Sequence, residues 1–347
     1  MDMSSLPLKM PAASVYCKSR VHASHALPLP GKCKGRLDLH LRLASVPRRK
    51  RSGKGAIVTQ AKATAIGFSA ILMWALLALF TIGSAPVPPF LLNALCFGIG
   101  GGIGLIWTAR RGFKVLRTVP FKIYAFGTLG LFGYHFLYFT AFRIAPTAET
   151  GLIAYLWPLF IVLFSGLLPG ERLRALHIIG ALVAFGGAAL IVLRGGVDLG
   201  GASAPGLALG FGCAITWAAY SVLSRRLGKV PTESVTVFCL ATAALSLLAH
   251  LALEKTVWPA NAYGWLAVLA LGVGPVGAAF FTWDIGMKKG DIQLLGVASY
   301  AAPLLSTLAL IVAGITPATP VIGVAALLIA GGAALAARAS AATPKSG

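Results

Sequence analysis

Charged side chains are scarce in this sequence of 347 residues, of which only 11% are Asp, Glu, Lys or Arg. Soluble domains carry about 25% charged residues, so this chain cannot cover itself with a polar surface. Long apolar runs recur between Ala65 and Ala337, and the mean hydropathy is +0.83. These observations exclude a soluble globular protein and indicate an integral membrane protein.

Metal-binding and catalytic motifs are also missing. The sequence contains no CxxC and no HExxH motif. The stretch "LFSG" (163–166) lacks the first glycine of the GxSG motif of intramembrane serine proteases. The stretch "KKGD" (288–291) does not match the GxGD motif of intramembrane aspartyl proteases. The five cysteines have no metal-ligand spacing and are interpreted as small packing residues: Cys17, Cys33, Cys96, Cys213 and Cys239. An intramembrane enzyme is the rival class, but we expect no enzymatic activity, no metal and no cofactor.

Residues 1–62 differ from the rest of the chain. They hold 13 of the 30 Lys and Arg, with Asp2 and Asp38 as their acids, and no apolar segment of a cleaved secretory signal precedes the first span. Three interpretations remain open: a disordered basic arm on an anionic membrane surface, a transit peptide, or translated sequence upstream of the true start. We expect the arm to be disordered and unnecessary for activity, and we expect no nucleic-acid partner.

Turn and charge signals divide the remainder into ten segments, each near the ~20 residues that cross a bilayer. Fourteen Lys and Arg fall in loops on one side and in the C-terminal tail, against three on the other side. The excess predicts that both termini are cytoplasmic. The predicted spans are 64–83, 87–109, 119–141, 147–168, 175–194, 205–226, 232–252, 262–284, 291–313 and 318–337.

The second half of the chain repeats the first. "AYLWPLF" (154–160) matches "SYAAPLL" (299–305), and "AFGGAAL" (184–190) matches "IAGGAAL" (329–335), both at an offset of 145. "GFSAILMWA" (67–75) matches "GFGCAITWA" (210–218) at an offset of 143. Because five spans is an odd number, the second copy must enter the membrane inverted. The sequence therefore predicts an all-α polytopic membrane protein with ten transmembrane helices in two inverted five-helix repeats.

This organisation sets the predicted domains. They are the basic arm (1–62), a first repeat (63–196), a second repeat (203–338) and a C-terminal tail (339–347). Inverted repeats are typical of alternating-access transporters with a substrate site near the midplane, and they suit a channel less well. The paired glycines of "GGAA" in both halves predict close packing between helices.

Polar rings mark the third predicted span. Tyr134, His135 and Tyr138 share one stripe of a helix, because residues three and four apart lie on the same face. A histidine at membrane depth normally faces protein or a water-filled cavity. His135 therefore either forms a hydrogen bond to another helix or binds substrate in a cavity shared with the two tyrosines.

The fourth span contains Tyr155, Trp157 and Pro158. A proline removes a backbone donor and crowds the preceding turn, and Pro303 repeats Pro158 in the second half, so the two prolines are predicted hinges. Tyr155 and Trp157 are two residues apart and can line one cavity only if the proline distorts the helix. Trp217 and its repeat mate Trp74 lie in mid-span and are interpreted as cavity residues or as ordinary packing.

Other polar groups are assigned to the ends of spans. Trp283 and Asp284 close the eighth predicted span near the inside face, and Glu149 opens the fourth near the outside, six residues after Arg143. These charged residues are interpreted as helix-end anchors or gate pairs rather than as a proton relay. No acidic residue lies at mid-depth in a predicted span, which argues against carboxylate-based ion coupling. No Lys or Arg lies there either, which disfavours phosphorylated substrates.

The stretch "GYHFLYFTAFRIAPTAETGLIAYLWPLFIVLFSGLL" (133–168) and the two proline-bearing halves carry a family resemblance. Residues 64–338 resemble the EamA-type fold of the drug/metabolite transporter (DMT) superfamily, and 133–168 resembles its aromatic amino acid exporters of the YddG type. The resemblance implies a basket of ten helices in the cell's inner membrane that exports aromatic and other neutral amino acids. The alternative is a DMT transporter of another metabolite or drug.

Overall fold

The computed structural model describes residues 58–193, 196 and 203–342, and within these ranges the regular structure is entirely helical. The predictions for residues 1–57 of the arm and 343–347 of the tail lie outside the described residues. The helical architecture agrees with the sequence prediction, because a chain in lipid must satisfy its backbone hydrogen bonds within each helix.

Ten long helices run through the described ranges. Nine of them are long and apolar enough to cross a membrane; α3 has 24 residues but carries three tyrosines and a histidine, which lower its hydropathy. A short helix, Lys114–Arg117, follows α2. The ten are α1 (Gln60–Gly83), α2 (Pro89–Arg111), α3 (Phe121–Ile144), α4 (Thr147–Ser165), α5 (Ala175–Val192), α6 (Ala204–Arg226), α7 (Ser234–Leu253), α8 (Ala262–Lys289), α9 (Ile292–Val312) and α10 (Pro320–Ala341).

Four of these helices are interrupted. The helix α4 divides into Thr147–Ala154 and Trp157–Ser165, and α9 divides into Ile292–Ala298 and Ala301–Val312. These two breaks lie just before Pro158 and Pro303, where a missing N–H prevents a continuous helix. In addition, α1 divides into Gln60–Trp74 and Leu77–Gly83, and α8 contains the π-helical turn Gly274–Ala278.

Helices of the first half pack mainly on helices of the second half. The helix α1 packs on α8, α3 on α6, α2 on α7, and α5 on α10. Exchanging the halves converts the α1–α8 pair into the α6–α3 pair and leaves the other two pairs unchanged. The packing therefore has the symmetry expected of two repeats. The interruptions lower that symmetry, because α1 and α8 are broken whereas α6 and α3 are continuous.

Candidate substrate-binding site

Three tryptophans from three helices meet inside the bundle. The ring centroid of Trp74 on α1 lies 6.2 Å from that of Trp157 on α4 and 5.9 Å from that of Trp217 on α6. The rings of Trp157 and Trp217 are 6.3 Å apart and nearly perpendicular. Edge-to-face contacts of this kind are favourable for aromatic rings. The sequence named all three as candidate cavity residues, with ordinary packing as the alternative for Trp74 and Trp217, and the structure brings them together.

The polar rings of α3 continue this aromatic cluster. The Tyr134 ring lies 5.2 Å from the Trp217 ring, 5.0 Å from the His135 ring and 5.8 Å from the Tyr138 ring. Tyr155 lies near Tyr134 and Tyr138. The three tyrosines and the histidine are deep in the bundle but only partly covered. Polar rings that are deep in the bundle but incompletely covered are candidates for contact with a bound substrate.

The break in α4 explains how Tyr155 and Trp157 face the same region. On a regular helix two residues separated by one would point to nearly opposite sides. Here the first piece ends at Ala154, and the Leu156 N–H donates to the Ile153 carbonyl at 3.1 Å in a tighter turn. The second piece then begins at Trp157. Because the two pieces do not form one regular helix, Tyr155 and Trp157 are not held on opposite sides of it.

The two broken helices are linked at their breaks. The Leu159 N–H, which follows Pro158, donates to the hydroxyl oxygen of Tyr300 at 3.1 Å. Tyr300 is fully buried in the break of α9 and is the repeat mate of Tyr155. The hydroxyl satisfies a backbone donor at the start of the second piece of α4, which would otherwise be costly to bury.

His135 forms a local hydrogen bond rather than a bond between helices. Its Nδ1 lies 2.7 Å from the Leu131 carbonyl oxygen one turn earlier on α3. A carbonyl only accepts, so Nδ1 carries the proton in this contact, and Nε2 of the neutral ring is an acceptor. Phe97 and Phe280 flank the imidazole at centroid distances of 5.0 and 6.1 Å.

A fourth tryptophan was missed by the sequence reasoning. Trp283 is 1% exposed, lies 5.0 Å from Trp74 and 6.0 Å from Trp157, and stacks on Trp217 at 6.4 Å. Its indole N–H donates to the Ser221 hydroxyl at 3.1 Å. Trp283 therefore belongs to the aromatic cluster, whereas the sequence placed it only at the end of the eighth predicted span.

The physical reason is the length of α8. This helix extends to Lys289 instead of ending at residue 284, and it includes the π-helical turn around Pro275. Asp284 is likewise not a terminal residue: it is buried, 2.8 Å from the Lys288 ammonium, and accepts from the Thr232 hydroxyl at 2.8 Å. The internal repeat could have identified Trp283, because the offset of 145 residues pairs it with Tyr138, which the sequence did predict as a site residue.

The chemistry available in the cluster is neutral. The Trp74 indole N–H donates to the Pro275 carbonyl at 3.0 Å, whereas the indole N–H groups of Trp157 and Trp217 have no acceptor among the described residues. Within the described ranges no group of three or more His, Cys, Asp or Glu side chains is placed to hold a metal ion. The site offers ring faces, tyrosine hydroxyls, indole donors and one imidazole acceptor.

Two helical repeats, with paired helix breaks and a cluster of aromatic rings between them, are the architecture of a multi-pass membrane transporter. The model of the EamA-like transporter family matches this chain twice, over residues 62–193 and 204–338. The chain belongs to the EamA-like transporter family.

Relatives with known names agree with this family. A protein of Ancylobacter novellus named "Aromatic amino acid exporter YddG" is 54% identical over 283 residues, which cover 80% of this chain and 98% of the relative. A protein of the same name from Escherichia coli strain K12 is 28% identical over 72% of this chain and 88% of its own length. A solved structure titled "Crystal structure of protein" has 53% identity and a TM-score of 0.77, and covers 82% of this chain and all of that chain.

Proposed function

We propose that this protein exports aromatic and other neutral amino acids across the cell's inner membrane by alternating access. The supporting observation is the convergence of seven predicted rings in one region of the bundle: Trp74, Tyr134, His135, Tyr138, Tyr155, Trp157 and Trp217. The relative that is 54% identical carries the name of such an exporter. The excess of Lys and Arg in the loops supports cytoplasmic termini.

Each part of an amino acid has a matching group in this site. The Nε2 atom of His135 accepts a hydrogen bond from the substrate ammonium, and the indole N–H groups of Trp157 and Trp217 donate to its carboxylate. An aromatic side chain stacks on the tryptophan faces, where each ring pair contributes about 0.5–1.5 kcal/mol. Contacts of this size bind the substrate without trapping it.

Alternating access requires elements that change shape. Pro158 and Pro303 are the proposed hinges, because both follow a break at matched places in the two halves. Breaks at the repeat interface are a common device of transporters with inverted repeats. The bond from Leu159 to Tyr300 couples the two breaks.

Substitution of Trp157 tests the site. In proteoliposomes, Trp157→Ala should reduce counterflow of phenylalanine and tryptophan about fivefold more than that of threonine and methionine, as expected for the loss of ~1 kcal/mol of stacking. Trp258→Ala is the matched control, since Trp258 is 52% exposed and stacks on Trp265 away from the cluster. Equal losses for all four substrates would show that Trp157 is a packing residue.

His135→Ala provides the complementary comparison. It should reduce transport of all four amino acids by a similar factor, because the hydrogen bond to the ammonium group does not depend on the substrate side chain. Rates are normalised to inserted protein. Unchanged transport in this variant would contradict the proposed role of His135.

A further inference from the structure

Positive charge without a partner is concentrated in one connection of the bundle. Residues 110–122, between the end of α2 and the start of α3, contain five Lys and Arg and no acidic residue. Four of these cations are exposed, and none of them forms an ion pair with any described residue: Arg110, Lys114, Arg117 and Lys122. The fifth, Arg111, is held by Glu233 at 2.9 Å and by the Trp107 ring at 5.1 Å.

Two other cations at the same end of the bundle are held by partners within the fold. Arg225 forms an ion pair with Glu171 and donates to the carbonyl oxygens of Met287 and Gly290. Lys288 is 8% exposed and binds Asp284. The unpaired cations of the α2–α3 connection are therefore not explained by folding of the bundle, because nothing in the described chain neutralises them.

Two exposed phenyl rings flank these cations. Phe113 is 51% exposed and Phe121 is 80% exposed, on either side of the short helix Lys114–Arg117. The Tyr124 hydroxyl donates to the Leu116 carbonyl at 2.7 Å, which ties this helix to the first turn of α3. Because the connection joins the ends of two spans, it lies at the membrane–water interface. Phenyl rings beside cations at that depth are typical of an interfacial membrane-binding segment.

We propose that this basic surface (Arg110, Lys114, Arg117 and Lys122, with Phe113 and Phe121) binds the phosphodiester headgroups of anionic phospholipids. The cations contact headgroup phosphates, and the two rings enter the acyl boundary beside them. Each Lys or Arg near an anionic bilayer surface strengthens the attraction. The partner is lipid rather than a soluble anion, because the exposed rings gain nothing from a phosphate ion in water.

The test measures which lipids accompany the full chain. The protein is reconstituted in phosphatidylcholine bilayers with a minor fraction of phosphatidylglycerol, and the lipids bound to it are counted by native mass spectrometry. We expect enrichment of phosphatidylglycerol. In a variant with all four cations changed to Gln, the enrichment should fall at least about fivefold. A change of this size is expected from the loss of a single cation at an anionic surface.

A charge-matched control separates this surface from net charge. Arg172, Arg226, Lys229 and Lys289 are exposed cations in the other connections of the same end. Changing these four to Gln should leave the enrichment intact, and an equal loss in both variants would overturn the proposal. Inorganic phosphate should displace no more phosphatidylglycerol than sodium chloride of the same ionic strength; stronger displacement would assign the surface to soluble phosphate. Substituted residues are exposed, and an unchanged unfolding temperature confirms that each variant is folded.

Discussion

Neighbouring glycines of the "GGAA" repeat have different surroundings. A methyl group on Gly331 would meet nothing within 4 Å, whereas one on Gly332 would press against the Gly180 carbonyl on α5 and lie 2.9 Å from the backbone nitrogen of Ala184. The same difference separates Gly186, which is open, from Gly187. Only one glycine of each pair is needed for close approach of α5 and α10.

Gly332→Ala should therefore destabilise the protein by about 1–3 kcal/mol, the usual cost of inserting a group into a filled space. Gly331→Ala is the matched control and should raise stability by about 0.5–1 kcal/mol, because alanine loses less backbone entropy in a helix. Unfolding in detergent, followed by circular dichroism, measures both variants. Equal shifts would show that α5 and α10 do not pack as closely as described.

Single residues were predicted unevenly. His135, Tyr134 and Tyr138 could be found because polar rings in an apolar span stand out and their spacing places them on one face. Trp283 was missed because the predicted eighth span ends at residue 284, which placed this side chain near the inside face of the membrane, whereas the helix continues to Lys289. Its true position depends on the π-helical turn of α8, which no residue spacing revealed.

At the scale of elements, the breaks in α4 and α9 are the features most closely tied to movement. Pro158→Ala or Pro303→Ala returns a backbone donor and relieves crowding, so each should stiffen its helix. If these breaks are hinges, turnover should fall about tenfold, the effect of ~1.4 kcal/mol on a barrier, with a smaller change in substrate affinity.

Pro320→Ala is the matched control for the hinge variants. Pro320 occupies the first turn of α10, where a proline is tolerated without breaking the helix. Turnover and substrate affinity are measured in the same proteoliposomes. The breaks are not hinges if turnover is unchanged in both hinge variants. The same conclusion follows if turnover falls no more than it does in Pro320→Ala.

At the scale of the whole molecule, ion pairs join the two halves. Arg225 at the end of α6 pairs with Glu171, which follows α4, and Gln293 at the start of α9 donates to the same carboxylate at 3.2 Å. The side chains of Arg225 and Glu171 are 19% and 17% exposed. Partial burial and shared hydrogen bonds make this pair stronger than an isolated surface pair.

A double-mutant cycle with Glu171→Gln and Arg225→Gln should therefore give a coupling energy of about 1–2 kcal/mol, above the usual range of exposed pairs. Detergent unfolding of the two single variants and the double variant supplies the measurement. Arg172→Gln in the same connection is the control, since Arg172 is exposed. A coupling energy indistinguishable from that between Arg172 and Arg225 would show that the pair does not join the halves.

The sequence by itself determined the membrane class, the helical architecture, the two repeats and the position of the breaks in α4 and α9. These properties are local or periodic: lipid requires each span to be apolar and internally hydrogen-bonded, and proline acts within its own turn. The tertiary structure alone decided which rings meet, that Tyr155 and Trp157 face one region, that Trp283 is central, and which glycine of each pair is in contact. Such contacts join helices far apart in the chain, and they depend on how each helix bends, crosses and turns against its neighbours.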